Sequence, residues 1–128
     1  MAHFAELDKD NKVLRVVVGC NTDIANNGGE QSTQAATHFE TVVPLSTDGV
    51  KWMQTSYNHN FRKQYAGHDF IYDETNDRFL HPKPGAAWTY NTEGDLVPPI
   101  PYPDETKIYR WDEDAYQADN TAGWVLVA

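Results

Sequence analysis

One segment of the chain concentrates residue types that bind other molecules. It runs from Trp52 to Gly67, reads WMQTSYNHNFRKQYAG, and contains no Asp or Glu, although the chain carries a net charge of -9. Arg, Tyr and Trp are enriched at the energetic centres of protein interfaces. We therefore predict that this cationic, aromatic segment contacts an acidic protein partner or a glycan. The predicted contact residues are Trp52, Tyr57, Phe61, Arg62, Lys63 and Tyr65.

The same segment also allows an internal interpretation. Arg62 and Lys63 could pair with the many acidic turns, while the aromatic side chains join the core. Tyr57, Phe61 and Tyr65 recur every four residues, which allows a helical turn with one aromatic face. The start of the segment, at Trp52, alternates in a way that favours a strand. The residue types leave the surface and the internal interpretations open.

Motifs for metal binding and catalysis are weak. The turns 8–11 and 73–77 resemble the start of a calcium loop, but neither continues with the Gly and late Glu of an EF-hand. The histidines are scattered and form no HxH or HExxH pair; they are His3, His38, His59, His68 and His81. No nucleophile elbow, P-loop or dinucleotide fingerprint occurs. We predict no metal site, no cofactor and no enzymatic activity.

Charge and cysteine content restrict the partners and the compartment. The acidic balance argues against nucleic acid and against an anionic membrane surface. The single cysteine, Cys20, excludes an internal disulfide; it follows a valine run and is predicted to be a small buried side chain. No apolar run reaches membrane-span length, and residues 1–4 do not open a signal peptide. We expect a protein that is made in a cytoplasm and stays soluble.

The length of 128 residues predicts a single domain, 1–128. An N-terminal hairpin is predicted over 3–18, because turn residues separate two β-rich runs. A polar loop follows over 21–29. A single amphipathic helix is predicted at about 30–43, with Ala35, Phe39 and Val42 on one face, ended by Pro44.

The remainder, 51–128, is predicted to form C-terminal hairpins from a weak internal repeat. Residues 70–73, 88–91 and 109–112 each read aromatic-x-aromatic followed by Asp or Asn, then an acidic turn and an apolar strand. Alternating aromatics indicate strands with one buried face, and Asp or Asn at a strand end starts a turn. The fold class is therefore mainly β (α+β), with serial antiparallel hairpins forming one or two sheets.

Three long stretches carry a resemblance to known proteins. MAHFAELDKDNKVLRVVV, QTSYNHNFRKQYAG and YRWDEDAYQADNTAGWV, in that order, resemble small uncharacterised or virion structural proteins of tailed bacteriophages, above all marine and cyanobacterial ones (cyanophages). The chain departs from that pattern between Val42 and Lys51, where a Gly-Gly pair is expected before the Trp. The resemblance implies a non-enzymatic virion accessory protein, made in the host cytoplasm. It would bind a larger capsid or tail protein, as head decoration or as a tail or fibre component, and could form a homo-oligomer in the particle.

Two other functions remain open at this stage. A carbohydrate-binding adhesion module of the phage would stack sugar rings on exposed aromatics; these would be Trp88, Tyr90, Tyr102, Tyr109, Trp111 and Trp124. A host-takeover protein would bind and inhibit a bacterial enzyme, and its acidity would suit mimicry of nucleic acid. The sequence does not distinguish a head from a tail location.

Overall fold

The computed structural model describes residues 2–128 and confirms a mainly β, α+β fold with 28% strand and 17% helix. The strands are β1 (Ala2–Leu7), β2 (Val13–Gly19), β3 (Lys51–Thr55), β4 (Ile71–Asp73), β5 (Arg78–Leu80), β6 (Thr89–Tyr90), β7 (Leu96–Val97), β8 (Tyr109–Trp111) and β9 (Trp124–Leu126). The helices are α1 (Asn21–Asn26), α2 (Thr33–Val42) and α3 (Glu113–Ala118). The chain divides into an N-terminal unit, Met1–Pro82, and a C-terminal unit, Lys83–Ala128. The single domain over 1–128 stays a prediction, because this division does not decide whether the two units fold as one.

The N-terminal unit is built on a three-stranded antiparallel sheet in the order β2-β1-β3. The predicted hairpin over 3–18 is confirmed as β1 and β2. Asp8 shapes its turn, because its Oδ1 accepts the N–H groups of Asp10 at 2.8 Å and Lys12 at 3.0 Å. A register shift after Glu6 places Leu7 opposite Val13.

Both faces of this sheet are covered. Side chains alternate along β1, so Phe4 lies on one face and its neighbour Ala5 on the other. Helices α1 and α2 cover the first face, where the buried cluster is Ala2, Phe4, Ile24, Ala35, Phe39 and Trp52. The β4–β5 hairpin covers the second face, where the buried cluster is Ala5, Leu7, Val13, Ala66, Tyr72 and Phe79. The central strand is therefore enclosed on both sides.

The predicted helix exists but is shorter than 30–43. It begins at Thr33 because the Ser32 hydroxyl accepts the Ala35 N–H at 3.0 Å and caps the first turn. It ends at Val42, ahead of Pro44. The prediction of a single helix was wrong, since the described residues form three.

The two additional helices are each six residues long, too short for an apolar periodicity to reveal them. Helix α1 lies within the predicted polar loop and is anchored by one buried side chain, Ile24. Helix α3 lies in the insert of the last hairpin, where the Asp112 Oδ1 accepts the Ala115 N–H at 3.0 Å. A tertiary contact therefore positions α1, and a local side-chain cap positions α3.

The three aromatic hairpins of the repeat are confirmed as β4–β5, β6–β7 and β8–β9. The prediction that the hairpins form one or two sheets was wrong. The described residues form one three-stranded sheet and three two-stranded sheets. The strands of these hairpins are two or three residues long and offer little edge for a further partner. Within the N-terminal unit, a bridge between Lys12 and Ile71 links β4 to the turn that precedes β2.

Candidate partner-binding surface

The chain turns sharply where it leaves β3. Thr55 lies opposite His3 of β1, and the next residues form a turn in which the His59 N–H donates to the Ser56 carbonyl at 3.1 Å. The Ser56 hydroxyl accepts the Asn60 N–H at 2.9 Å. The strand predicted at the start of the segment is confirmed, and this turn directs the following loop back across the sheet.

The helical turn considered for residues 57–65 is wrong. Arg62 and Lys63 have φ angles of 52° and 68°, in the left-handed region that interrupts a right-handed helix. The loop is instead tied to β5, because the Phe79 N–H donates to the Arg62 carbonyl at 3.0 Å. The Gln64 side-chain amide donates to the Phe79 carbonyl at 2.9 Å. The four-residue spacing of Tyr57, Phe61 and Tyr65 therefore belongs to a loop that is hydrogen-bonded to β5, and not to a helix.

Arg62 acts inside the molecule. Its side chain is only 8% exposed, its Nε donates to Asp77 Oδ1 at 2.8 Å, and its Nη1 donates to the Gln54 carbonyl at 2.9 Å. The Tyr72 hydroxyl donates to the same Asp77 oxygen. Burial raises the pKa of Asp77, but the hydrogen bonds from Tyr72 and Arg62 outweigh it and hold that pKa below its usual value. Burial and the Asp77 carboxylate raise the pKa of Tyr72 to about 12.

Trp52 is a core residue, which corrects its predicted place on a contact surface. It is 3% exposed, and its ring meets Phe39 edge-on at a centroid distance of 5.0 Å. Its Nε1 donates to the Val43 carbonyl at 3.0 Å, and the Arg15 guanidinium lies 5.0 Å from the ring centroid. Trp52 faces the helices because its register partner on β1 is Glu6, which shares the helix-covered face with Phe4.

Three rings from two distant parts of the chain meet at the end of the sheet. His3 and Tyr57 are stacked at 5.5 Å, and Tyr65 meets His3 and Tyr57 edge-on at 5.3 Å each. Tyr57 is 64% exposed, whereas Tyr65 is half-buried. Burial and the nearby Tyr57 raise the pKa of Tyr65. The Tyr65 N–H donates to His59 Nδ1 at 3.0 Å, which fixes the loop behind the rings.

Val18 extends this cluster onto the neighbouring strand. It lies opposite His3 in the β1–β2 register and is 46% exposed. Directly opposed residues of an antiparallel pair share a face, so Val18 borders the rings. His3, Val18, Tyr57 and Tyr65 together are named the Tyr57 surface.

The remaining predicted contact residues are less buried than Trp52 and less exposed than Tyr57. Phe61 and Lys63 are half-buried in the loop, and the Arg62 guanidinium lies 5.8 Å from the Phe61 ring centroid. Sequence reasoning missed His3 and Val18. Period-two alternation indicated their strands, but only the register of β2, β1 and β3 brings them to Tyr57.

The aromatics of the C-terminal unit pack mainly on one another. Trp124 meets Tyr102 at 5.0 Å and Trp111 at 5.1 Å, both edge-on. Trp88 meets Trp111 and Trp124 in the same manner. The Trp124 Nε1 donates to the Ile100 carbonyl at 2.8 Å. Trp88, Trp111 and Trp124 are half-buried and form the interior of the unit, whereas Tyr102 is 39% exposed.

Two further expectations concern reactive groups. Among residues 2–128 no group of three or more His, Cys, Asp or Glu side chains could hold a metal ion. Cys20 is exposed, so its predicted burial was wrong. Backbone N–H groups of Asp23 and Thr22 lower the pKa of the Cys20 thiol. The valine run before Cys20 ends with β2, and the thiol lies outside the sheet at the start of α1.

No protein-family model, curated protein or solved structure matches the chain. Within the described residues, none of the helices has the length and apolar character needed to cross a membrane. A functional assignment therefore depends on the geometry of the chain and on the resemblance to phage proteins.

Proposed function

We propose that this protein is a non-enzymatic accessory structural protein of a phage virion, which binds a larger capsid or tail protein through the Tyr57 surface. The observation that carries the proposal is Tyr57 itself. Its side chain is 64% exposed, yet its ring is stacked on His3 and met edge-on by Tyr65. An exposed aromatic ring that is already held in place loses little conformational freedom when a partner covers it.

The composition around this surface indicates the chemistry of the partner. No Asp or Glu occurs in residues 51–67, although the chain carries a net charge of -9. The Arg62 charge in this segment is already paired with Asp77, so the exposed ring of Tyr57 is the main feature that a partner meets. A partner with an apolar pocket would complement this ring.

The buried carboxylate of Glu6 is fully paired with donors from its own fold. Its side chain is 0% exposed, and its oxygens accept hydrogen bonds from Arg15 at 3.0 Å and from the Ser46 hydroxyl at 2.6 Å. The Ser46 N–H donates at 2.7 Å. Burial raises the pKa of Glu6, but these hydrogen bonds outweigh it and lower that pKa below its usual value. Its bonding is structural, since it fixes the loop between α2 and β3.

The test begins with the particle. Purified and extensively washed virions are analysed by mass spectrometry, with the copy number measured relative to the major capsid protein. A copy number comparable to that of the capsid protein places the protein on the head, and a much smaller one on the tail, portal or fibres. Absence of the protein from washed particles would refute the virion assignment and favour a host-directed protein.

The second step tests the Tyr57 surface with matched variants. Tyr57→Ala is expected to abolish incorporation, whereas Tyr57→Phe keeps the ring and is expected to be incorporated normally. Val50→Ala is the control, because Val50 is 55% exposed and lies outside the surface. Normal incorporation of Tyr57→Ala would overturn the assignment of the surface. Arg62 is unsuitable for this test, because its replacement breaks the bonds to Asp77 and Gln54.

A further inference from the structure

A polar cleft lies beside the Tyr57 surface, between the start of α1 and the end of β3. It consists of two adjoining cavities of about 200 and 170 Å³, both lined by Asn21, Glu30 and Gln54. The larger cavity is also lined by Asn58 and Asn60 and by the aromatic residues Tyr57 and Phe61. The two cavities are named the Gln54 cleft.

Gln54 supplies the observation that points to a ligand. It is only 5% exposed, and its Oε1 accepts the Gln31 N–H at 2.8 Å, which fixes the orientation of its amide. The Nε2 group donates to no other described residue. Two buried side-chain atoms of residues 2–128 have no hydrogen-bond partner, His3 Nδ1 and Trp88 Nε1. Gln54 Nε2 is not one of them, so it is not fully buried. The amide nitrogen of Gln54 therefore keeps a small contact with solvent, and Gln54 lines both cavities of the cleft.

The rim of the cleft offers more unused hydrogen-bonding groups. The side chains of Asn21, Asn58 and Asn60 make no hydrogen bond with the described part of the chain, and neither does the Glu30 carboxylate. A side-chain amide donates and accepts at once, as a hydroxyl group does. The cleft contains one carboxylate and no Lys or Arg, which disfavours an anionic ligand.

We infer that the Gln54 cleft binds one neutral sugar ring of a glycan. Adjacent hydroxyl groups of the ring can accept hydrogen bonds from the Gln54 amide. They can also both donate to and accept from the side-chain amides of Asn58 and Asn60. Tyr57 and Phe61 also line the larger cavity, whose surface is mainly polar. The larger cavity is smaller than the roughly 300–1,000 Å³ typical of drug-sized ligands, which suits a single ring. The inference is independent of the virion assignment, because it concerns the isolated protein.

The test uses the full chain and free sugars. Glucose, galactose, mannose and N-acetylglucosamine are titrated separately while the side-chain amide signals of Gln54 are followed by NMR. At least one sugar is expected to shift these signals saturably, with a Kd on the order of 1 mM, as a single small site allows. Glycerol, a polyol without a ring, is the chemical control and is expected to cause no saturable shift.

Variants of the rim locate the site. Asn58→Ala and Asn60→Ala remove exposed side chains and are each expected to weaken binding by roughly fivefold, the effect of one lost hydrogen bond. Asn120→Ala removes an exposed turn asparagine from the C-terminal unit and is expected to leave the Kd unchanged. No saturable shift with any of the sugars would overturn the inference. An equal response to glycerol, or equal effects of all three variants, would overturn it as well.

Discussion

The two units of the chain bury their apolar side chains in different ways. In the N-terminal unit, Leu7, Val13 and Phe79 are 0% exposed, because helices and a hairpin cover both faces of one sheet. In the C-terminal unit, which is described in full, the only buried residues are two glycines, and no apolar side chain is buried. A small unit cannot enclose a complete core. Large aromatic rings that meet edge-on take its place.

The two units also pair their polar atoms in different ways. The N-terminal unit surrounds its one fully buried carboxylate, Glu6, with donors. The C-terminal unit uses aromatic residues whose polar tips reach nearby acceptors, as in the 3.0 Å bond from Trp111 Nε1 to Glu113. Complete enclosure requires exact pairing of polar groups, whereas half-buried aromatics leave one side to water.

The largest expected effect is the loss of a ring from the enclosed core. Phe79→Ala removes a fully buried side chain that contacts Tyr72 and is expected to lower the free energy of unfolding by about 3–5 kcal/mol. Trp111→Ala removes a larger ring, but one that already meets solvent, and is expected to cost about 2 kcal/mol. Urea unfolding followed by circular dichroism measures both. An equal or greater cost for Trp111→Ala would contradict the distinction between the two units.

The second effect concerns the buried carboxylate and depends on pH. Glu6→Gln keeps the shape but removes the charge that faces Arg15, and is expected to cost about 2 kcal/mol at neutral pH, a value discounted because Arg15 is 39% exposed. The folded-state pKa of Glu6 lies below 4.5. Its stabilisation is therefore complete above the unfolded-state value and is lost as the pH falls through the folded-state value.

Measuring urea unfolding of both proteins as the pH is lowered checks this sign. The difference in stability between the wild type and Glu6→Gln is expected to shrink as the wild-type carboxyl becomes protonated. Glu40→Gln is the matched control, because Glu40 is exposed, and should change stability by less than about 0.5 kcal/mol. A difference that stays constant down to acidic pH would show that the charge of Glu6 does not stabilise the fold.

A third effect, of similar size, probes the aromatic interior of the C-terminal unit. Gly123 has φ +148°, and a Cβ at this position would lie 2.5 Å from atoms of the Trp111 ring. Gly123→Ala is expected to cost about 2 kcal/mol from strain and displacement of the ring. Gly29→Ala shares the positive φ but meets no atom within 4 Å, so it reports the strain alone, about 1 kcal/mol. Equal costs would indicate that the Trp111 ring moves aside freely.

Turn chemistry and alternation were sufficient to predict the hairpins. Asp8 and the aromatic pairs indicated where strands turn, and the structure confirms each of these hairpins. The register between strands was not readable from the sequence, and it decides that Trp52 faces the helices. The same limit applies to the candidate surface. Tyr57 and Tyr65 were predicted, but His3 comes from a strand that is distant in sequence.

The smallest expected effect separates the surface from both interiors. Tyr57→Ala removes a ring that is 64% exposed and stacked on His3, so it is expected to cost about 0.5 kcal/mol, the worth of one exposed aromatic contact. Thermal and urea unfolding of the purified variant measure this value. A small cost makes lost incorporation into particles attributable to lost contact. A cost above about 2 kcal/mol would instead show that Tyr57 stabilises the fold, because exposed side chains rarely contribute that much.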